Sequence, residues 1–333
     1  MRKMKLGIIG CGAVVELIHL PALGRVPEVT ITSLADLNIK RARELKKKYG
    51  LLEAATYDSY NELIDSSDVD IVLIATPPKT HALITIDALK ANKHVYCEKP
   101  MGTSMEDIEM ILKATQSSNS KFMVGYNYRF QSHYAKIKEL LNKGFVGKPL
   151  ISDLYYLSDV RSWPSVSQFQ LTPGGGDVLL DMGIHCVDLS RWLFGEVIKV
   201  YANIRTANLN VPVADTATVV LEHQNGAVSI LHLSWCAPGL NSIMVVGTKG
   251  SLMTSLDINY IRASKTELIK NRWFRIDMKE FPPLSSYQQA FTHFINCIRN
   301  EKEPDITIQD GIRGLQIVLA AYESSESGKP KNV

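Results

Sequence analysis

Short, almost unbroken runs of apolar and β-branched residues alternate with helix-like stretches through the first third of the chain. No other feature restricts the possible folds as much. The runs cover residues 6–9, 29–35, 71–75, 94–96 and 122–124, and helical stretches at 13–23, 39–49, 80–91 and 105–117 follow them. A strand that is apolar along its whole length belongs to a sheet buried on both faces, and regular strand–helix alternation makes that sheet parallel. Around Gly125 the pattern changes. After a helix at 132–141, strands at 150–157, 199–206, 217–222, 228–235, 243–246 and 251–254 follow, broken by turn signals such as Gln224-Asn-Gly226 and Thr248-Lys-Gly250. Successive strands with such turns make a largely antiparallel sheet. A helix at 178–194 interrupts it, and helices at 287–299 and 311–325 close the chain. The expectation is α/β, with a dinucleotide-binding domain over residues 1–125 and a second domain built on one large mixed sheet over 126–333.

Composition narrows the class further. The 333 residues suit two domains, and 45% hydrophobic with 21% charged residues is ordinary for a globular enzyme. A net charge of +3 is small for a nucleic-acid partner, and Lys46-Lys47-Lys48 reads as a solvated helix face. The five cysteines (Cys11, Cys97, Cys186, Cys236, Cys297) are scattered and never spaced as CxxC, so reduced thiols are expected, with no disulfide framework and no metal site. No apolar run approaches the roughly 18 residues of a membrane span, and the basic start precedes too short an apolar stretch for a signal peptide. A cytoplasmic protein with neither membrane nor nucleic acid as partner is expected.

Gly10-Cys-Gly12 ends the first strand and opens a helix. Glycine there permits a tight turn and lets the backbone approach a pyrophosphate, whose charge settles on the free N–H groups of the helix start. The third glycine of that fingerprint falls at Val15, a departure. Asp36 ends the second strand at the distance where a carboxylate meets the adenine-ribose hydroxyls, which argues for NAD. Asn38, Lys40 and Arg41 follow closely and keep NADP open as the alternative. Ala75-Thr-Pro-Pro78 with His81, and Glu98-Lys99-Pro100, end later strands of the same sheet, where ligands of parallel sheets bind. The Lys99–Pro100 bond is a candidate cis peptide. In Gly174-Gly-Gly-Asp-Val-Leu-Leu-Asp-Met-Gly-Ile-His-Cys-Val-Asp188, helical spacing puts Asp181, His185 and Asp188 on one stripe. A carboxylate one turn from a histidine holds its ring and suits it to act as a general base near neutral pH. The stripe supplies too few ligands for zinc. The chain has neither a Gly-x-Ser-x-Gly elbow nor a GxxxxGK[ST] loop, so neither a hydrolase triad nor a nucleoside triphosphatase is supported.

Taken in order, these segments resemble the glucose–fructose oxidoreductase / inositol 2-dehydrogenase (Gfo/Idh/MocA-type) family. The likeness runs from Gly7-Ile-Ile-Gly-Cys-Gly-Ala13 through His19-Leu-Pro-Ala22, Ala75-Thr-Pro-Pro-Lys-Thr-His81 and Glu98-Lys-Pro100. It continues through Gly125-Tyr-Asn-Tyr-Arg-Phe130 and the segment ending at His185, to Asp310-Gly-Ile-Arg-Gly-Leu315. The resemblance implies a Rossmann domain followed by an open-faced sheet domain, and a homodimer or homotetramer formed through that sheet. It implies an NAD(P)-dependent oxidoreductase acting on a CH–OH group of a sugar, sugar nucleotide, inositol or related cyclic polyol. Lys99, Asp181 and His185 would be its catalytic trio. The cofactor would be held by Gly10, Cys11, Gly12, Ala13 and Val14, by Asp36 and Arg41, and by Thr76, Pro77, His81, Glu98, Lys99 and Asn127. Arg129 and Trp163 join Asp181 and His185 as candidate substrate contacts. Two other readings stay open: a glycosidase that cycles hydride on a retained nicotinamide, and a non-catalytic dinucleotide-binding regulator.

Overall fold

The structure is a computed structural model describing residues 2–162, 176–208, 210–266, 272–278, 282 and 284–333. Trp163 and the first two glycines of the Gly174–Gly176 run lie outside the described residues. The chain divides into two compact units, residues 1–127 with 283–315, and residues 128–282 with 316–333.

The first unit is built on six parallel strands in the order β3-β2-β1-β4-β5-β6. They are β1 (Met4–Ile9), β2 (Val29–Ala35), β3 (Ala55–Tyr57), β4 (Ile71–Ile74), β5 (His94–Cys97) and β6 (Phe122–Val124). All four residues of β4 are buried, as its unbroken Ile-Val-Leu-Ile run requires of a strand covered on both faces. The short β3 was not anticipated. Three half-buried residues at the sheet edge carry too little pattern to be read. The helices of this part are α1 (Leu20–Leu23), α2 (Ile39–Lys48), α3 (Tyr60–Asp65), α4 (His81–Lys90) and α5 (Met105–Gln116). A capping box between Ser104 and Asp107 starts α5. The expected helix at 13–23 is not uniform: residues Val15–His19 wind as a π-helix before α1.

The second unit holds α6 (Ser132–Asn142), a π-helical turn at Leu179–Gly183 and α7 (Ile184–Phe194). Its strands are β7 (Pro149–Asp159), β8 (Val197–Arg205), β9 (Thr216–His223), β10 (Val228–Ser234), β11 (Cys236–Gly247), β12 (Gly250–Ser255), β13 (Tyr260–Lys265), β14 (Phe274–Asp277) and β15 (Lys331–Asn332). They form one sheet in the order β14-β13-β12-β11-β7-β10-β9-β8-β15, antiparallel except where β7 runs parallel to β10. One face buries Leu154, Val219, Leu231, Leu233, Ile243 and Val245. The cross-strand register puts Ile151, Tyr155, Val220, Ile230, Tyr201 and Met244 on the opposite face, where all are half-exposed or exposed.

The two closing helices are α8 (Ser285–Arg299) and α9 (Ile308–Ser327). The expected division at residue 125 gave both to the second domain, and the structure corrects this: residues 283–315 belong to the first unit. The cause lies in α8, whose Phe291 stacks on Tyr96 of β5 with ring centroids 4.5 Å apart while Phe294 meets the same ring edge-on. The later part of α9 belongs to the second unit, where Ser324 accepts from the Ala202 N–H of β8.

Candidate active site

In a parallel sheet every strand presents its carboxyl end at the same edge, and the strand order reverses between β1 and β4, the place where such sheets bind ligands. Gly10 follows β1 with φ of +90°, a conformation that disfavours any side chain, and a Cβ there would lie 2.5 Å from the Ala75 carbonyl oxygen. Gly12 differs: a Cβ would meet no atom within 4 Å. Protein packing does not demand glycine at 12, so the open backbone suits close approach by a ligand. Ala13 and Val14, half-buried, begin the helix.

Asp36 is tied to this loop. Its Oδ2 accepts from the Cys11 N–H and its Oδ1 from the Asn38 N–H, each at 2.8 Å. Each oxygen retains a further lone pair for a ribose hydroxyl. Burial, with the Asp36 charge, pushes the Cys11 thiol up to about 12, so it is a packing group and not a nucleophile. Arg41 donates from Nε to the Cys11 carbonyl at 3.0 Å and pairs with Glu16. Hydrogen bonds from Lys48 and Arg41 hold the Glu16 carboxyl below the usual carboxylate range.

Past β4, Thr76 is half-buried and Pro77 exposed. His81 is buried, with Nδ1 2.7 Å from the Pro100 carbonyl and Nε2 2.7 Å from the Thr76 carbonyl. Its ring thus links the ends of β4 and β5 instead of presenting an atom to a ligand. Burial lowers the affinity of this ring for a second proton, and the two carbonyls and Glu98 only partly oppose that. At the end of β5 the Lys99–Pro100 bond is cis. Burial would raise the Glu98 carboxyl, but the His19 hydrogen bond and the charges of His19 and Lys99 outweigh it and keep Glu98 ionised. Asn127 donates to Ser286 Oγ at 3.3 Å, and its buried Oδ1 has no hydrogen-bond partner. Open backbone at Gly12, the acceptors of Asp36 and the orphaned oxygen of Asn127 together fit a dinucleotide.

In the second unit, Asp181 lies half-buried in the π-helical turn and His185 is buried in the first turn of α7. Asp177 accepts the N–H groups of Leu179 and Leu180 and the Tyr322 hydroxyl, fixing the start of this helical segment, and burial raises its carboxyl. His185 stacks on Tyr128 with ring centroids 4.5 Å apart and an interplanar angle of 14°. Tyr128 rests in turn on Tyr134 and Tyr156. A histidine held flat against a ring is restricted in rotation, which keeps its nitrogens aimed. The sequence shows an aromatic run at 126–130 but not that Tyr128 backs His185, because spacing says nothing about partners so far apart in the chain.

Arg129 is placed differently from its expected role. Its Nε donates to Asp188 Oδ2 at 2.9 Å and a second nitrogen meets Oδ1. The side chains of this fork–fork pair are 8% and 0% exposed, so the guanidinium is committed to structure. Asp188, read as the third member of the polar stripe, is the anchor for Arg129. Among the described residues no group of three or more metal-ligating side chains occurs, and no helix is long and apolar enough to cross a membrane.

Two family models match. "Oxidoreductase family, NAD-binding Rossmann fold" covers residues 4–126 and "GFO/IDH/MocA C-terminal domain" covers 134–253. A myo-inositol 2-dehydrogenase of Thermotoga maritima is 28% identical over 334 residues, spanning 97% of this chain and 96% of that protein. A D-apiose dehydrogenase of Paraburkholderia graminis is 26% identical, spanning 99% of this chain and 89% of its own. Among solved structures, a levoglucosan dehydrogenase in complex with NADH and L-sorbose superposes with a TM-score of 0.91 at 23% identity, over 99% of both chains. At that identity the likeness speaks to the fold.

Proposed function

This chain belongs to the GFO/IDH/MocA oxidoreductase family, and from that premise we propose that it is an NAD-dependent dehydrogenase of a sugar or cyclic polyol. It would oxidise a secondary alcohol or reduce the corresponding ketone. One observation carries the reading: the carboxyl ends of β1, β2, β4 and β5 gather Gly10–Gly12, Asp36, Thr76 and Glu98-Lys99 along one edge at the reversal of strand order. Relatives that match over nearly the whole chain are a myo-inositol 2-dehydrogenase and a D-apiose dehydrogenase, which supports this substrate class.

The bound nicotinamide supplies the acceptor or donor of hydride. His185 takes the proton of the substrate hydroxyl as general base, a contribution typically worth about 10²–10⁴-fold. Lys99 donates a hydrogen bond to the same oxygen and favours its developing negative charge. Asp181 orients the substrate at a neighbouring hydroxyl. Gly12 and the helix start would hold the pyrophosphate, Asp36 would hold the adenine ribose, and Asn127 Oδ1, buried without a partner, would accept from the cofactor. NAD is favoured over NADP because Asp36 would repel a 2′-phosphate, and the Arg41 guanidinium is already engaged by Glu16 and the Cys11 carbonyl. The apolar residues exposed or half-exposed on one face of the second unit's sheet, Ile151, Tyr201 and Met244 among them, support a homodimer or homotetramer, to be read by light scattering.

The test is a panel of inositols, pentoses, anhydrosugars and sugar nucleotides with NAD and with NADP, followed at the absorbance of the reduced nicotinamide. Turnover with at least one cyclic polyol or sugar is expected, lost in His185→Ala while NADH still binds. Retention of more than half the turnover in that variant removes His185 from the mechanism, and a tenfold preference for NADP removes the cofactor assignment.

A further inference from the structure

His19 is fully buried at the end of the π-helical turn Val15–His19, and its Nε2 lies 2.7 Å from Glu98 Oε1. The other oxygen of Glu98 accepts the backbone N–H of Lys99 at 3.2 Å. Edges and faces of Tyr96, Tyr287 and Phe291 enclose the imidazole, with centroids 5.5–6.3 Å away at interplanar angles of 76–86°. The ring therefore has little room to turn. Its Nδ1 is buried without a hydrogen-bond partner, so the single directed contact of this ring is the one to Glu98. A carboxylate that is 7% exposed needs such a donor to stay ionised. Beyond Lys99, the Pro100 carbonyl lies 2.7 Å from His81 Nδ1. The Lys99-Pro100 segment is thus held at the Lys99 amide by the neighbouring Glu98 carboxylate, itself tied to His19, and at the Pro100 carbonyl by His81 of α4.

We propose that His19 and Glu98 act together as positioning residues for Lys99: the imidazole fixes the carboxylate, and the carboxylate fixes the Lys99 amide and keeps a negative charge beside its amine. The proposal deepens the functional reading above and rests on Lys99 being the group that meets the substrate oxygen. Neither His19 nor Glu98 touches substrate. A pair that served packing alone would change stability when altered and leave the chemistry of the Lys99 amine as it was.

The experiment separates these cases by acetylating the intact protein with N-hydroxysuccinimidyl acetate at pH 8 and measuring, by peptide mass spectrometry, the rate at Lys99 relative to exposed Lys47. Glu98→Gln keeps shape but removes charge, so the Lys99 amine loses protons more readily. Its relative rate is expected to rise more than twofold. His19→Phe removes the donor to Glu98 and is expected to alter the Lys99 rate more than twofold, while His19→Gln, whose amide N–H still reaches toward Glu98, returns it to within twofold of wild type. Unchanged Lys99 rates in folded Glu98→Gln and His19→Phe overturn the proposal, and a response to Glu98→Gln alone removes His19 from it. Should His19→Phe not fold, nitrogen NMR of histidine-labelled wild-type protein decides: a protonated Nε2 on His19 is required, and a bare Nε2 overturns the pairing. Lys99→Met is the separate control. If it keeps turnover, the role given to Lys99 at the substrate oxygen fails, whatever the labelling rates report.

Discussion

At Gly10 the chain runs at φ +90° against the Ala75 carbonyl, whereas at Gly12 a side chain would project into open space. Two glycines of one motif are therefore glycine for different reasons, and alanine scanning separates them. Gly10→Ala should lower stability by at least about 1–2 kcal/mol from the backbone alone, with the clash adding to it. Gly12→Ala should leave the melting temperature nearly unchanged but weaken NADH binding by about tenfold or more, read by nicotinamide fluorescence. Equal loss of stability in both would remove the assignment of Gly12 to a ligand. The Arg129–Asp188 pair makes a second residue-level case. Arg129→Ala strips a buried carboxylate of its main partner, so a loss of about 3–5 kcal/mol in unfolding free energy is expected, whereas a substrate-binding arginine would show its effect chiefly in KM. The glycines were legible in the sequence because a turn leaves a local signature. Arg129–Asp188 and His19–Glu98 were not, since they join residues 59 and 79 positions apart.

At the scale of elements, two of the helical segments that carry candidate site residues contain a π-helical turn, Val15–His19 in the first unit and Leu179–Gly183 in the second. Such turns cluster at functional positions because the extra residue per turn displaces a side chain from its α-helical direction. Apolar periodicity near 3.6 predicted both helices but cannot reveal the wider turn, so the stripe of Asp181, His185 and Asp188 was drawn as a regular α-helix. Val15, where the dinucleotide fingerprint has glycine, is fully buried and starts the first π turn. Gly183 ends the second, and a Cβ there would lie 2.6 Å from both Leu179 Cδ1 and Leu233 Cδ1. Those atoms are the ends of flexible side chains, so Gly183→Ala should fold at a cost of about 1–3 kcal/mol. It should also push the start of α7 away from β10, and with it His185. The expected signature in steady-state kinetics is a kcat reduced several-fold with KM changed less than twofold. An unchanged kcat would mean that the helix position is not coupled to the chemistry. Strands β14 and β15 escaped the sequence reading for a simpler reason: they are short, mostly exposed strands at the two ends of the sheet. Strand β13 buries Ile261 and Ala263 but alternates over too few apolar residues to stand out.

For the molecule as a whole, the change of pattern near Gly125 was readable because parallel and antiparallel sheets need different strand compositions. The return of residues 283–315 to the first unit was not, since an amphipathic helix advertises an apolar face without saying which sheet covers it. The same burial that makes the core sets an acid limit on stability. His81, His94 and His223 all have ring pKa values drawn below the ordinary 6.5, in each case first by burial. Released by unfolding, these rings bind protons that the native protein refuses. Below about pH 6.5 the unfolded chain therefore carries more protons, and stability must fall as pH falls. Above that value the three rings are neutral in both states and contribute no slope. Glu98, held below the usual carboxylate range, extends the loss to lower pH, whereas Asp177, raised by burial, opposes it there. A melting temperature flat between pH 8 and 7 and declining from about 6.5 downward is the expected profile by calorimetry at constant ionic strength. A melting temperature that rises between pH 7 and 5.5 would mean that these histidines are charged in the native core, and that the carbonyls and carboxylate facing them outweigh their burial.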